Sequence, residues 1–486
     1  MQLIFKYFAD ESAYRAAFDF DGLGPCAVDA ARFWRARVTE LVREAGMRAI
    51  VWDGLDFTWL SADARLADPL EQSIADAGLA DAALVAGLTI RMDLAAPSDV
   101  LASVQRGAVT AQRVTGDANP TSHSEGRNWV ELGDNALLTA ALGVRPMADV
   151  LWTQPTQPDD PRWRGGRRRN LRHDVALAVL TSGPVGFGDS VGRTDARMLV
   201  RASRADGAIL KPAFPALRLD RWFTARGGAE LRLAVAGPAG SADPRYDARA
   251  NSMARLHAAA SDPAAKWWWI VLATNVGGEE RTVDLSELWP RPPVATQLLV
   301  VQLDAHASGR NTSAAGPPEA ATQCAHGAAA ASCAFLWSAT RALNVTTAPG
   351  TPVQRSFRLL AAAPLLSSGW ALLGELDKIC PVSPQRFVAP GSGDAPHDTD
   401  LVSAASELTF TVLGAPGESV RITLIAPPGP VDTHDARHGD AQSTVTAPRP
   451  LDGKVVVVTV AVGQSGRSMV ACQVGACTQS QSSNNR

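Results

Sequence analysis

The first half of the chain, residues 1–220, alternates short apolar runs with stretches in which apolar residues recur at helical spacing. This alternation is typical of repeated β–α units and predicts a parallel sheet. The predicted helical stretches are AARFWRARVTELVREAG, SDVLASVQ and NALLTAAL. The predicted strands are LIFKYF, RAIVWDGL, GLTIRMDL, VTAQRVTGD, GVRPMADVLW and ALAVLTSGPVGFGD.

From Trp222 onward the helical periodicity fades, and strand-like runs are separated by Gly, Pro and Asp clusters. These runs predict an antiparallel β-sandwich region. In the run Trp267, Trp268 and Trp269, strand geometry places the outer two on one face and the middle one on the other. Core packing between two sheets is favoured over an aromatic platform for a sugar.

The charge and hydrophobicity of the chain bear on which partners it is expected to bind. The chain has 486 residues and a formal net charge of -3, which gives no electrostatic case for nucleic acid or an anionic membrane. The basic run RGGRRRNLR has no interleaved aromatic residues and is interpreted as a solvated loop. No stretch reaches the roughly 18 apolar residues of a membrane helix, so no membrane partner is expected. The amino terminus lacks a signal-peptide pattern.

The six cysteines are too few for a disulfide scaffold at this length. Their grouping in irregular C-terminal segments, together with two glycosylation sequons, leans towards an oxidising, extracytoplasmic compartment but does not assign one. The positions are Cys324, Cys333, Cys472, Cys477, Asn311 and Asn344. The spacing in CAHGAAAASC fits no common zinc pattern, so neither a metal nor a cofactor is predicted.

Acidic residues follow the predicted strands, at the ends that form the active-site face of a β/α barrel. They are Asp53, Asp56, Asp93, Asp117, Asp149 and Asp189. Two carboxylates about 5 Å apart suit a retaining glycosidase, and a wider separation suits an inverting one. Asp117 also has a purely structural interpretation, as the partner of Arg113 in an ion pair. The residues alone leave both interpretations open.

Nucleotide-binding and H-E-x-x-H zinc-hydrolase patterns are absent from the sequence. The glycine cluster TSGPVGFGDSVGRTD has neither the order of a dinucleotide fingerprint nor that of a phosphate-binding loop. No H-E-x-x-H helix occurs. The carboxylates therefore carry the candidate chemistry.

Several segments resemble the alpha-galactosidase and raffinose synthase group of glycoside hydrolases, a group of the TIM-barrel clan. A Gly-Pro turn, an Asp, a Gly-x-x-Asp and an Asp-Gly-x-x-Leu occur in the order seen in that group. These features lie in VLTSGPVGFGDSVGRTD and RADGAILKPAFPALRLD. SDVLASVQRGAVTAQRVTGDANP resembles the segment with the Arg-x-Ser-x-Asp-like motif. RNWVELGDNALLTAALGVRPMADVLWT and GWALLGELDKICPVSPQRF look closest to a poorly characterised, divergent branch.

The resemblance implies roles for individual residues. Asp117 would be the proton donor, with Arg113 as its orienting neighbour. Leu55 stands where the family's nucleophilic acid falls, so the resemblance implies that Asp53 or Asp56 takes this role or that the nucleophile is missing. The predicted substrate-binding residues are Arg113, Trp52, Arg91, Asp93 and Asp189.

The fold class expected is α/β plus all-β, a partial (β/α)8 TIM barrel without its N-terminal strands followed by an antiparallel β-sandwich region. The predicted parts are a barrel portion over 1–222, a β-sandwich domain over 223–387, a further β-strand extension over 388–477 and a disordered tail over 478–486. Fewer than eight strands cannot close such a barrel. The resemblance therefore implies a fragment, a truncated gene model, or a partner chain that completes the barrel.

The sequence thus predicts a glycoside hydrolase acting on alpha-linked glycosides, with alpha-galactosides as one option, through a carboxylate pair. The alternative is a catalytically inactive carbohydrate-binding or structural glycoprotein that keeps the same scaffold. The altered segment VWDGLDF favours the alternative, and the segments RVTGD and SGPVGFGD favour the enzyme. Both share a carbohydrate as the expected ligand.

Overall fold

The computed structural model describes about a dozen stretches of the chain. They are 20–52, 69–93, 107–116, 132–157, 171–219, 230–236, 267–303, 334–346, 357–388, 402–427 and 454–481, with short gaps inside several, and single residues Trp163 and Arg221. The chain divides into two compact units, residues 1–151 with 183–188 and residues 152–182 with 189–486. The domain boundaries proposed from the sequence stay a prediction.

Among its described residues, the first unit contains a parallel sheet and two long helices, and residues 138–141 are also helical. A two-stranded ribbon, β1 (Phe20–Asp21) and β2 (Gly24–Pro25), precedes helix α1 (Ala27–Ala45). Helix α2 is Pro69–Val85, and the parallel sheet has the order β3 (Ala49–Trp52), β4 (Thr89–Met92), β5 (Val109–Arg113) and β6 (Arg145–Met147). This confirms strands in four of the predicted runs. The run LIFKYF lies outside the described residues.

The core of the first unit joins the helices to one face of this sheet. Val38 of α1 and Leu79 and Ala83 of α2 are in one cluster with Ile90 and Met92 of β4. All five side chains are almost fully buried. Burying such apolar surface is the main favourable term in folding, so this contact fixes which face of the sheet the helices cover.

The second unit begins with two helices, α3 (Leu171–Leu180) and α4 (Ala196–Ala202). The first one corrects a prediction, because ALAVLTSGPVGFGD was expected to be a strand. The residues from His173 to Leu180 are all buried, so the run has no polar face to reveal a helical period. Beyond the helix, Phe187 makes only an isolated parallel bridge with Leu151.

The strands described in the second unit belong to antiparallel sheets, as the sequence predicted. The strands are β7 (Phe214–Arg218), β8 (Glu230–Ala236), β9 (Trp268–Thr274), β10 (Thr282–Val283), β11 (Leu298–Gln302), β12 (Ala334–Trp337), β13 (Leu343–Asn344), β14 (Phe357–Pro364), β15 (Ala371–Gly374), β16 (Phe387–Val388), β17 (Val402–Ala404), β18 (Glu407–Leu413), β19 (Ser419–Ala426), β20 (Lys454–Ala461), β21 (Arg467–Gln473) and β22 (Ala476–Gln481). A 3-10 turn spans Leu285–Glu287. The class is α/β plus antiparallel β.

The described strands of the second unit form four sheets. The largest has the order β12-β11-β14-β9-β8-β7, a second is β15-β19-β20, and β10 pairs with β13. The last has the order β16-β18-β21-β22, with β17 paired to β18. Cys472 and Cys477 lie opposite each other in β21 and β22 and form a disulfide. Two predictions are corrected here: these cysteines lie in strands, and the tail expected from residue 478 is β-strand as far as Gln481.

The tryptophan run confirms the predicted alternation. Trp269 is buried in the main core of the second unit, and Trp267 packs against the same core. Trp268 is also buried, and its indole Nε1 donates to the carbonyl of Leu372 in β15 at 2.7 Å. The outer two side chains therefore share one face of β9, while the middle one contacts a neighbouring sheet.

A buried charged cluster supports the turn between β15 and β16. The Arg386 side chain is only 1% exposed, and it pairs with Glu375 at 2.6 Å and with Glu418 at 2.7 Å. Its Nη1 also donates to the carbonyl of Leu413 at 2.6 Å. A buried guanidinium needs several acceptors, and these three groups supply them.

The same turn holds the C-terminal end of α4. Nζ of Lys378, a buried residue, donates to the carbonyls of Val200 at 2.6 Å and Ser203 at 3.1 Å. Helix C-terminal carbonyls lack partners within the helix, and a cation is favourable beside them. Nearby, Ile379 N donates to the carbonyl of Arg201 at 3.0 Å.

Candidate active site

The register of the parallel sheet brings three strand ends to one level. Met92 of β4 pairs with Gln112 of β5, and Arg113 pairs with Met147 of β6. Asp93 directly follows Met92, so it lies beside Arg113 at the carboxyl end of the sheet. Polar residues that follow neighbouring parallel strands meet at the same edge, which is the usual location of sites in sheets of this kind.

Alternation along β4 determines the face that these polar residues occupy. Ile90 and Met92 point into the core that contacts the helices. Successive side chains of a strand point to opposite faces, so Arg91 and Asp93 occupy the face turned away from that core. The charged residues are therefore separated from the helix-covered side.

Arg113 is the centre of the cluster at this edge. Its Nε lies 3.2 Å from Oδ1 of Asp93 and its Nη1 lies 3.4 Å from Oδ1 of Asp149, while its side chain is only 6% exposed. Nε also donates to the carbonyl of Thr115 at 3.1 Å. Arg91 Nη2 pairs with the other carboxylate oxygen of Asp93 at 2.7 Å. We call Arg91, Asp93, Arg113 and Asp149 the strand-end cluster.

Neutral hydrogen bonds hold the strand ends that carry this cluster. Thr115 Oγ1 accepts from the backbone N–H of Asp149 at 3.0 Å, which ties the segment after β5 to the segment after β6. Asn135 Nδ2 donates to the carbonyl of Val114 at 2.8 Å. These bonds fix the backbone on both sides of Arg113, so the position of its guanidinium is strongly constrained.

The strand-end cluster balances its charges, with two guanidinium groups and two carboxylates. Asp93 contacts both arginines. An ionised Asp accepts hydrogen bonds and an Arg donates them, so the cluster suits a ligand rich in hydroxyl groups. Among the described residues, no group of three His, Cys, Asp or Glu side chains could hold a metal ion.

Asp189 belongs to the second unit and carries a separate network. Its carboxylate accepts from the backbone N–H of Thr153 at 2.9 Å, from Thr153 Oγ1 at 2.8 Å and from Gln157 Nε2 at 2.8 Å. Gln157 Oε1 accepts in turn from the backbone N–H of Ser190 at 3.0 Å. Asp189 thus joins residues 153–157 to residues 189–190, a structural role that sequence reasoning did not assign.

The segment SGPVGFGD contacts the strand-end side of β6. A Cβ on Gly183 would overlap the backbone carbonyl of Pro146, so only glycine fits there. Leu151 N donates to the carbonyl of Gly186 at 2.9 Å, and Gly188 N donates to the carbonyl of Leu151 at 2.7 Å. Gly183 therefore allows close backbone approach within the first unit and needs no phosphate ligand to explain it.

The predicted catalytic carboxylates Asp117, Asp53 and Asp56 lie outside the described residues. Trp52 is the last residue of β3, and only its backbone is described. The structure brings together Arg91, Asp93 and Arg113 of the predicted substrate-binding set. Their assigned roles stay predictions.

Sequence reasoning left Asp149 out of the predicted site, although it noticed an acid after this strand. The position of Asp149, two residues after β6, was the available signal. Thr115 and Asn135 gave no signal in the sequence, since Thr and Asn at strand and helix ends are common for local reasons.

No protein-family model matches the chain, and no curated protein matches it at a significant level. No helix among the described residues has both the length and the apolar character needed to cross a membrane. The fold class and the geometry of the strand-end cluster are therefore the basis for a functional proposal.

Proposed function

We propose that this chain is a glycoside-hydrolase-like protein that acts on alpha-linked glycosides, with alpha-galactosides as the first substrates to test. The observation that carries the proposal is the convergence of Arg91, Asp93, Arg113 and Asp149 at the carboxyl ends of parallel strands. The resemblance of the segments around Arg113 and Gly183 to the alpha-galactosidase and raffinose synthase group gives this geometry its chemical interpretation. No cofactor is required for such a reaction.

The proposed architecture of the first part of the chain is a (β/α)8 barrel. It is supported by the parallel order β3-β4-β5-β6, by the helices on one face, and by the charged residues on the opposite face. In such barrels the outer face of the strands packs on helices, and catalytic residues come from several strand ends. The strand-end cluster has this arrangement.

In the proposed mechanism Asp117 donates a proton to the leaving oxygen, and Asp53 or Asp56 attacks or stabilises the anomeric carbon. Arg113, Arg91, Asp93 and Trp52 would bind the sugar. We assign Asp93 to hydroxyl binding and not to proton donation, because both arginines already pair with its carboxylate.

The test is hydrolysis of a panel of aryl alpha-glycosides that differ in the acidity of the leaving phenol. Asp117→Asn should lose most rate on poor leaving groups and least on activated ones, because good leaving groups need little protonation. Asp81→Asn is the matched control, since Asp81 is exposed on α2. No hydrolysis of any substrate by the wild-type chain would refute the enzymatic proposal.

A second candidate is a catalytically inactive carbohydrate-binding or structural glycoprotein. The observation that favours it is the pairing of both described carboxylates, Asp93 and Asp149, with Arg113. Carboxylates committed to an arginine can bind hydroxyl groups without performing catalysis. Binding on a glycan array together with no hydrolysis of the aryl panel would support this function over the first.

A further inference from the structure

We infer that Asp149 is a positioning residue of the proposed site and acts on the ligand through Arg113. This inference rests on the proposed function in its carbohydrate-binding sense. Asp149 was not among the residues that sequence reasoning placed in the site, and its role follows from three contacts at the carboxyl end of the parallel sheet.

The first contact is the ion pair between Asp149 and Arg113. Asp149 Oδ1 lies 3.4 Å from Nη1, and Asp93 Oδ1 lies 3.2 Å from Nε of the same guanidinium. The two acids come from segments after different strands, on either side of β5. A guanidinium is planar and directional, so anchoring two of its nitrogens fixes the plane in which it donates to a ligand.

The second contact fixes the backbone of Asp149, and the third holds Arg113 to the same threonine. Its backbone N–H donates to Thr115 Oγ1 at 3.0 Å, and the carbonyl of Thr115 accepts from Arg113 Nε at 3.1 Å. Asp149, Thr115 and Arg113 thus form a closed ring of contacts. A displaced Asp149 side chain removes one anchor of Arg113, while the Thr115 contact keeps the local backbone in position.

The four side chains of the strand-end cluster differ in how much of each is exposed to solvent. The side chains of Arg113 and Asp93 are each 6% exposed, that of Asp149 is 16% exposed, and that of Arg91 is 28% exposed. Asp149 is thus covered enough for its charge to act on Arg113 with little solvent screening. Asp149→Asn keeps the shape of the side chain and removes only its charge.

The experiment measures galactose binding by calorimetry and hydrolysis of an aryl alpha-galactoside for the wild type, Asp149→Asn and Asp149→Glu. We expect Asp149→Asn to raise Kd and KM by roughly tenfold with a smaller change in kcat, because it weakens one charged contact of the binding arginine. Asp149→Glu should recover part of the loss. The thermal unfolding midpoint of each variant checks that the fold is retained.

A double-mutant cycle tests whether the effect passes through Arg113. In an Arg113→Lys background, Asp149→Asn should change Kd far less than in the wild type, because lysine cannot reproduce the planar fork. Equal effects in both backgrounds would overturn the inference, as would unchanged Kd and KM in Asp149→Asn. If the wild type neither binds galactose nor hydrolyses the galactoside, the proposed function fails first and the inference fails with it.

Discussion

Replacing Arg386 with methionine gives the sharpest test of the buried charges in the second unit. The side chains of Arg386, Glu375 and Glu418 are 1%, 5% and 10% exposed, so both carboxylates would lose their cation in a site with little water. Removing one partner of a buried ion pair costs about 3–5 kcal/mol. We therefore expect Arg386→Met to lower the free energy of unfolding by about 3–5 kcal/mol.

Urea unfolding followed by tryptophan fluorescence measures this loss, since the chain has 13 tryptophans. Arg421→Met is the matched control, because Arg421 is an exposed arginine on β19. An exposed substitution of this kind should change stability by less than about 0.5 kcal/mol. Equal effects of the two substitutions would refute the reasoning.

The pH dependence of the free energy of unfolding provides an independent check on the charges around Arg386. Burial raises the pKa of Glu375, so its contribution to stability is present at low pH and is lost as the pH rises through that pKa. Burial also acts to raise the pKa of Glu418, but hydrogen bonds from Arg386 and a backbone N–H outweigh it and lower the pKa. The contribution of Glu418 is therefore present above its unfolded pKa and is lost as the pH falls.

Without Arg386, both carboxylates lose the group that favours their charge, so their pKa values should rise. The folded variant then binds protons more readily, and its stability deficit should shrink as the pH falls from about 7 towards about 5. A deficit that stays constant over this range would show that the loss comes from packing and not from the charges.

Two further substitutions test close contacts in the two units. Gly183→Ala should destabilise the first unit by about 1–3 kcal/mol, because its Cβ would overlap the carbonyl of Pro146. Gly186→Ala is the control, since nothing lies near its Cβ, and equal thermal midpoints for the two variants would contradict the prediction. Thr274→Val removes the 2.8 Å contact with Nε2 of buried His173, and denaturant unfolding should show a loss of about 1–3 kcal/mol. No change in the unfolding midpoint would mean that this contact does not contribute.

Regular strands were the most predictable part of the fold. Runs such as VRITLIAP and KVVVVTVAV have the β-branched composition that fits a half-buried pleated surface, and they form β19 and β20. The run ALAVLTSGPVGFGD was wrongly predicted as a strand, because its first residues lie in a helix that is buried on all sides and so lacks the period that separates helix from strand.

The strand-end cluster was predictable in position but not in pairing. Acids that follow parallel strands must meet at one edge, so Asp93 could be expected near Arg113. The sequence did not indicate that Asp149 also pairs with Arg113, because the register between β5 and β6 depends on tertiary packing. The buried pairing of Arg386 was not predicted either, since its two carboxylate partners lie 11 and 32 residues away in the chain.

The hydrogen bonds from Lys378 to the C-terminal end of α4 affect how the chain can fold during synthesis. Lys378 donates to the carbonyl of Val200 across 178 residues of chain. Just after α4, the backbone N–H of Ala205 donates to the carboxylate of Glu418 across 213 residues. When α4 leaves the ribosome, Lys378 and Glu418 have not yet been synthesised. These contacts at the end of α4 can form only after the intervening strands have been translated, so this part of the chain reaches its final structure late in synthesis.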